Sequence, residues 1–331
     1  MDKLNYTSKL DLLETEIAIK YIKDTFERDF SQALCLTRVS APIIVCPESG
    51  LNDNLSGDEK PVSFVIKKIN KRVEIVQSLA KWKRMALKKY NFKENFGLYT
   101  DMNAIRSDDK LDELHSIYVD QWDWEKIISN DERNLDYLKQ IVSDIYKVIL
   151  KLNNKINDKY PMLHHNLPNE IFFISTTELQ KLYPNLSSKE RENEITKKYG
   201  AVFLYQIGWP LSDGNPHDGR AADYDDWLLN GDILLWYDVL DLAMEISSMG
   251  IRVNKDTIIK QLEAKNELFK LNNPYVQAVI NEEMPLTVGG GIGQSRLCMY
   301  FLKKAHIGEV QASIWDEQDI ENLKKRNINL L

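Results

Sequence analysis

The stretch that most constrains this chain is Val288-Gly289-Gly290-Gly291-Ile292-Gly293-Gln294-Ser295-Arg296, which runs on into Leu297, Met299, Tyr300 and Leu302. Glycine has no Cβ, so the backbone here can pass close to a ligand or to another element. The apolar residues after Arg296 recur at helical spacing, which puts Arg296 in the first turn of a helix. A cation there opposes the helix dipole at a cost of roughly 0.3 kcal/mol or more. On a bound phosphate, the same arginine and the helix N-terminus would act together. That points to a nucleotide. Neither common glycine motif is present: no Gly-Lys-Ser/Thr closes a P-loop, and Gly291-Ile292-Gly293 lacks the third glycine of a dinucleotide fingerprint. Taken alone, the block reads as a tight strand-to-helix turn, and its weight rests on what lies upstream.

Composition narrows the partners. With 43% hydrophobic and 28% charged residues, the 331-residue chain has material for an ordinary globular core. A net charge of -7 and a pI near 5.4 do not advertise a broad nucleic-acid surface. The start, MDKLNYTSKLDLLETE, has no apolar signal core, and no run approaches membrane-spanning length, so neither a membrane nor a nucleic-acid partner is expected. Cys35, Cys46 and Cys298 are few, odd in number and widely spaced, which suggests a reducing cytoplasm and three small buried residues. His164-His165 and His217-Asp218 lack metal-ligand spacing and read as surface or loop residues.

Along the chain, Leu10, Leu13, Ile17, Tyr21, Thr25 and Phe26 mark one face of an N-terminal amphipathic helix. Residues 36–43 read as a strand interrupted at Pro42, suited to an edge or an interface. A polar loop over 47–61 is followed by a hairpin over 62–66 and 73–76, and Ser78 is placed to cap a helix through Trp82, Met85 and Leu87. Strands are expected over 97–106 and 116–125, a long helix over 131–157, and strands again over 171–174 and 201–207. A loop over 209–227 precedes strands near 232–236 and 241–253. No repeat or linker divides the chain, so one α+β domain over 1–331 is expected.

Alternation along 116–125 places Gln121, Asp123 and Glu125 on one face and Tyr118, Asp120, Trp122 and Trp124 on the other. A carboxamide beside two carboxylates repels unless a cation lies opposite; an amino acid's ammonium fits, and so does a solvated edge strand. Arg106 ends the preceding strand over a charged loop, where a guanidinium matches phosphate oxygens in a bidentate way.

Arg106, its loop and the 116–125 strand resemble motif 2 of the class II aminoacyl-tRNA synthetases; the glycine run with Arg296 resembles motif 3, and the strand ending at Pro42 motif 1. The chain is most similar to the ammonia-dependent asparagine synthetases, or aspartate–ammonia ligases, which are relatives of those catalytic cores. The likeness runs end to end through Asp53-Asn54-Leu55-Ser56-Gly57, Ser78-Leu79-Ala80-Lys81-Trp82-Lys83-Arg84, His115-Ser116, Tyr224-Asp225-Asp226-Trp227 and Gly289 to Arg296.

The resemblance implies an antiparallel sheet flanked by helices, a homodimer through motif 1, and synthesis of asparagine from aspartate, ammonia and ATP through β-aspartyl-AMP. It implies an ATP site of Arg106, Ser116, Glu245 and Arg296, and Mg²⁺ on Asp232 and Glu245. Asp53, Ser78, Lys83, Gln121, Asp123, Asp226 and Ser248 would meet aspartate, with Arg106, Asp53 and Gln121 closest to the chemistry. For Lys83 an ordinary basic helix face is the alternative. His115, entering the motif 2 strand, fits either a loop-orienting or a purely structural role. Amidotransferase-type synthetases carry a cysteine directly after the initiator methionine; Asp2 stands there, so free ammonia is the expected nitrogen donor. Two other readings share these residues: a true aminoacyl-tRNA synthetase, and a sensor that keeps the fold without turnover.

Overall fold

The computed structural model describes residues 6–53, 55 and 59–331. Asn54, Ser56 and Gly57 of the polar stretch, and the N-terminal residues including Asp2, lie outside these. Helix α1 (Leu12–Leu34) starts at Asp11, whose carboxylate accepts from the Glu14 N–H while the Glu14 carboxylate accepts from the Asp11 N–H. It buries Ala18, Ile19, Ile22, Phe26, Phe30 and Leu34. Leu13 and Ile17, expected on that face, are 70% and 55% exposed. Two apolar stripes satisfy the helical period. The aromatic one is buried because Phe26 packs on Trp122 (centroids 4.9 Å apart) and Phe30 on Trp124 (6.1 Å).

Cys35, in the left-handed region at φ 58°, ends α1, and β1 (Leu36–Arg38) follows at once. The expected strand therefore stops four residues before Pro42. A small sheet comprises β2 (Ile44–Val45), β3 (Ser63–Ile66) and β4 (Lys71–Ile75), the last two forming the expected hairpin. Helix α2 (Ala80–Lys89) has Leu79, not Ser78, at its N-cap; the Ser78 hydroxyl accepts from the Ala80 N–H at 3.1 Å instead.

Next come β5 (Gly97–Ile105), β6 (Tyr118–Ile127), helix α3 (Leu135–Lys159) and β7 (Phe172–Ser175). Between β7 and the next strand lie two helices, α4 (Thr176–Leu182) and α5 (Ser188–Tyr199), each begun by a serine–glutamate capping box. Strands β8 (Ala201–Tyr205), β9 (Asp225–Tyr237) and β10 (Leu242–Arg252) lead to helices α6 (Lys255–Ala264) and α7 (Pro274–Ile280). The glycine block is β11 (Thr287–Gly293), continuing directly into α8 (Gln294–Phe301); α9 (Glu317–Lys325) closes the chain.

Eight strands form the main sheet in the order β1-β5-β6-β11-β10-β9-β8-β7. The five inner pairings are antiparallel, but β1–β5 and β7–β8 are parallel, so the sheet is mixed and not purely antiparallel. Both parallel pairs are joined by long crossovers, through the small sheet and α2 in one case and through α4 and α5 in the other. One sheet face packs Trp122, Trp124, Ile233 and Met249 with α1 and α3 into the main core. On the other face, apolar clusters lie at three separate places, under α2, under α6 and α7, and under α4. Between them runs a strip of polar side chains from β6, β9 and β10.

Of the cysteines only Cys298 is buried; Cys35 is exposed and Cys46 half-buried. His165 and His217 are buried, contrary to expectation: the first stacks on Tyr300, the second bonds Glu192 at 2.9 Å. Among the described residues no helix is long and apolar enough to cross a membrane.

Candidate active site

The glycines of β11 are not a turn. Gly289, Gly290 and Gly291 are extended strand residues, and none has a positive φ. Their lack of side chains makes lateral room. A Cβ on Gly289 would stand 2.0 Å from Glu125 Oε2, and one on Gly291 would stand 2.2 Å from Gln121 Oε1. Polar side chains of β6 therefore lie across β11, which a side-chain-bearing strand would forbid. Strand β6 is central, between β5 and β11, so it is no solvated edge.

The three polar residues of β6 each find a different surrounding. Glu125, fully buried, accepts from Arg252 Nε (2.9 Å) and Nη2 (2.7 Å) and from the Thr287 hydroxyl (2.6 Å). Burial opposes its charge, but the Arg252 guanidinium wins and holds the carboxyl below its usual range. Arg252 also donates to Asp225. Asp123 accepts from Lys83 Nζ at 2.5 Å, and the same ammonium donates to the Gly290 carbonyl at 2.8 Å. Burial pushes the Lys83 amine down against the pull of Asp123. Gln121 reaches an open cavity.

Lys81, Lys83 and Arg84 are all buried, so this helix start is not the basic surface that its composition suggests. Lys81 pairs with Asp223 at 3.0 Å. Beside that pair sits Asp53, 2% exposed, whose carboxyl burial pushes up to about 6. Further along the strip, Arg220 is paired with Asp232 and, at 3.0 Å, with Asp218. Burial, with the nearby Glu245 charge, pushes the Asp232 carboxyl up. Ser248 lies opposite Asp232 in the β9–β10 register.

A cavity of about 380 Å³ opens next to this strip, lined by Arg106, His115, Ser116, Gln121, Glu245 and Arg296 among others. Arg106 is tethered through Nε to the Gln77 carbonyl at 3.2 Å. Arg296 donates from Nη1 to the Glu245 carbonyl (3.1 Å) and from Nη2 to His115 Nε2 (2.8 Å). A guanidinium only donates, so Nε2 is the acceptor and the His115 proton sits on Nδ1, 2.7 Å from Asp112 Oδ1. This chain holds Arg296 over the cavity. Replacing His115 with alanine is expected to raise the KM for a phosphate-bearing substrate about tenfold, the effect of one hydrogen bond to a charged group, with a smaller change in kcat. His115→Gln, which keeps an acceptor, should restore most of it. Steady-state kinetics showing a kcat loss at unchanged KM would refute the positioning role.

The aspartate-ammonia ligase family model matches residues 13–327. An aspartate–ammonia ligase of Fusobacterium nucleatum is 57% identical over 326 residues, 98% of this chain and 99% of that protein. The chain belongs to the aspartate-ammonia ligase family. A second member, from Lactiplantibacillus plantarum, is 55% identical over 312 residues, 94% of this ligase and 97% of its own length. Among solved structures, asparaginyl-tRNA synthetase of Pyrococcus horikoshii complexed with asparaginyl-adenylate superposes with a TM-score of 0.64 at 16% identity, over 91% of this ligase and 70% of the synthetase. The Entamoeba histolytica asparaginyl-tRNA synthetase also gives 0.64 at 16% identity, and the ligase spans 66% of its length. At such identity the likeness is one of fold, the catalytic core of the class II synthetases.

Against that frame, the ligase brings Arg106, Ser116, Gln121, Glu245 and Arg296 to one cavity. Ser116 is engaged by its own neighbours there, donating to Gln311 Oε1 at 2.7 Å. Lys83 and Asp123 meet as an ion pair, and Asp53, Ser248 and Asp232 belong to the polar strip without lining the cavity. Asp226 is drawn elsewhere: it is ion-paired with Arg133 and accepts from the Leu228 N–H. Sequence reasoning gave no role to Lys81, Arg220, Asp223 or Gln77. The buried cations carried no local signal, because a helix start rich in lysine and arginine looks the same in solvent. Asp223 precedes the quoted Tyr224-Asp225-Asp226-Trp227 stretch, and its neighbourhood was the one available sign.

Proposed function

We propose that this ligase makes L-asparagine from L-aspartate, ammonia and ATP in two steps. The β-carboxylate of aspartate attacks the α-phosphorus, expelling pyrophosphate and forming β-aspartyl-AMP. Ammonia then attacks the β-carbonyl carbon and AMP leaves. The activation is needed because a free carboxylate resists an amine nucleophile.

One observation carries the reading. Arg106 and Arg296 share a cavity with Glu245 and Gln121, and the strip beside it holds buried carboxylate oxygens without partners: Asp53 Oδ2, Asp123 Oδ2, Asp223 Oδ1 and Asp232 Oδ1. Unpaired buried acceptors are costly unless a ligand completes them. The ammonium of aspartate, and ammonium itself, supply the missing donors. Arg106 would hold the α-phosphate and Arg296 the far side of the nucleotide, with Ser116 ordering the wall between them. Ser78, Lys83, Gln121, Asp123 and Ser248 fit the aspartate side, whereas the ion pair of Asp226 with Arg133 favours a structural role for that carboxylate. Asp53 would take a proton from ammonium, a role its raised carboxyl supports.

Asp232 and Glu245 suit Mg²⁺, which is commonly held by one or two carboxylates together with substrate phosphates; the unpartnered Asp232 Oδ1 is consistent with that. Among the described residues there is no group of three or more such ligands, so the phosphates would complete the shell. Bound there, the ion would neutralise phosphate charge. A homodimer in the cytoplasm, each 331-residue chain acting as one catalytic unit, is the proposed working form. The exposed Leu12, Leu13 and Ile17 on α1 support a protein partner surface.

The test is an incubation with ATP, Mg²⁺, aspartate and ammonium chloride, with and without tRNA. Asparagine with equimolar AMP and no ADP is expected. Product only on tRNA would establish the translation reading. At fixed total ammonium the rate is expected to rise with pH, since neutral ammonia is the nucleophile. Asp53 must also be ionised, so turnover should fall below about pH 6 and the Asp53→Asn variant should lack that limb. A flat profile would count against direct ammonia capture.

A further inference from the structure

Gln77 is the most anomalous polar residue near the site. It lies in the turn between β4 and α2, is 0% exposed, and neither its Oε1 nor its Nε2 has a hydrogen-bond partner. Its backbone is firmly placed. The Gln77 N–H donates to Asn52 Oδ1 at 2.9 Å, and the same oxygen accepts the Asp53 N–H at 3.1 Å. The Gln77 carbonyl accepts from Arg106 Nε, and the adjacent Val76 carbonyl accepts from the Ile105 N–H at 3.3 Å. The unpaired carboxamide therefore stands on a pinned segment that touches both Arg106 and the residue before Asp53. A leucine or methionine would fill that space without the desolvation penalty of a bare amide. The residue does something that packing does not explain.

We infer that Gln77 is the residue that holds ammonia for this ligase, its carboxamide and Asp53 Oδ2 together receiving ammonium next to the activated aspartate. The inference rests on the ligase reading above and deepens it. Three observations favour ammonia over the larger substrates. Gln77 is wholly enclosed and does not line the 380 Å³ cavity, so a nucleotide or an amino acid held in that cavity is not the partner of its carboxamide. Asp53, whose N–H shares the Asn52 Oδ1 acceptor with the Gln77 N–H, has an unpaired Oδ2, and Asp223 near it has an unpaired Oδ1; both are acceptors, as a four-donor cation requires. The carboxamide oxygen Oε1 can accept an N–H of ammonium and, after proton loss, an N–H of neutral ammonia, leaving the lone pair free to attack. It can hold the nitrogen before and after proton loss.

The step balances as follows. One N–H bond of ammonium breaks and its proton goes to Asp53 Oδ2. The freed lone pair forms a bond to the β-carbonyl carbon, the carbon–oxygen bond to the phosphate breaks, and the electron pair leaves with AMP. A second proton is lost from nitrogen to solvent.

The experiment uses the full-length chain and ammonium chloride. Initial rates of asparagine formation are measured for wild type, Gln77→Leu and Gln77→Met with ammonium, aspartate and MgATP each varied in turn at saturating levels of the other two, together with ATP–pyrophosphate exchange without ammonium. Both variants are expected to raise the KM for ammonium about tenfold, as loss of a hydrogen bond to a charged ligand does. The KM for aspartate and the exchange rate should stay within about twofold, because adenylate formation does not use ammonia. An unmoved ammonium KM, or a uniform loss in exchange and all three KM values, overturns the inference. A wild-type protein that makes neither asparagine nor exchanged ATP fails at the underlying reading, and is told apart by that control. The methionine variant, close to glutamine in volume, keeps the test meaningful if the leucine variant folds poorly.

Discussion

Arg106→Ala is expected to lower kcat by about 10²–10³, the usual consequence of losing one donor aimed at developing charge. The backbone N–H of Arg106 bonds the Ile117 carbonyl at 2.8 Å, fixing the end of β5, and the side chain is pinned through Nε to Gln77. A guanidinium held this way costs little to reorganise when charge builds on the phosphoryl oxygens. Because Arg296 faces the same cavity and is anchored separately, nucleotide binding should survive better than turnover. Arg106→Lys should recover only part of the loss, since an ammonium cannot form the two parallel bonds of the guanidinium fork. ATP–pyrophosphate exchange and net asparagine synthesis should fall together. Near-normal turnover in the alanine variant would remove Arg106 from the chemistry.

The second large effect is on stability. Arg252 is 2% exposed and compensates two buried carboxylates, Glu125 and Asp225. Arg252→Leu is expected to destabilise the fold by about 3–5 kcal/mol, the cost of leaving buried charge without its partner. The room for this network comes from glycine: a Cβ on Gly289 would lie 2.0 Å from Glu125 Oε2, and one on Gly250 would lie 2.8 Å from Asp225 Oδ1. Adding Glu125→Gln to Arg252→Leu should recover part of the loss, because one uncompensated charge is then gone. Denaturant midpoints of the two variants and wild type make the comparison. A midpoint for Arg252→Leu close to wild type would show that water or rearrangement satisfies both carboxylates.

Much of the architecture was legible because it is written locally. Period-two alternation placed Trp122 and Trp124 opposite Gln121, Asp123 and Glu125, and the two tryptophans are in the main core. Helical spacing after Arg296 located α8, and the nine-residue charged loop between Arg106 and Ser116 separates two paired strands as expected. Other features were misread for definite reasons. Leu13 and Ile17 form a stripe as periodic as that of Ile19, Ile22 and Phe26, and only the aromatic partners on β6 decide which stripe is buried. The parallel edges of the sheet leave no trace in the pattern, since a strand alternates in the same way whichever direction its neighbour runs.

By itself, the sequence determined the order of elements, the strand carrying Gln121 and Asp123, the arginines facing the cavity and, through end-to-end likeness, the family. Tertiary structure alone decided what those residues meet. For Lys83 an ordinary basic helix face stayed open beside the aspartate-side reading until α2 packed on the sheet and set it against Asp123 and the Gly290 carbonyl. The glycines of β11 were a turn until β6 laid its side chains across them. The unpaired amide of Gln77 became visible only once its turn was pinned between Asn52 and Arg106. Periodicity and residue type act over a few neighbours, whereas charge compensation and burial depend on segments brought together across the whole chain.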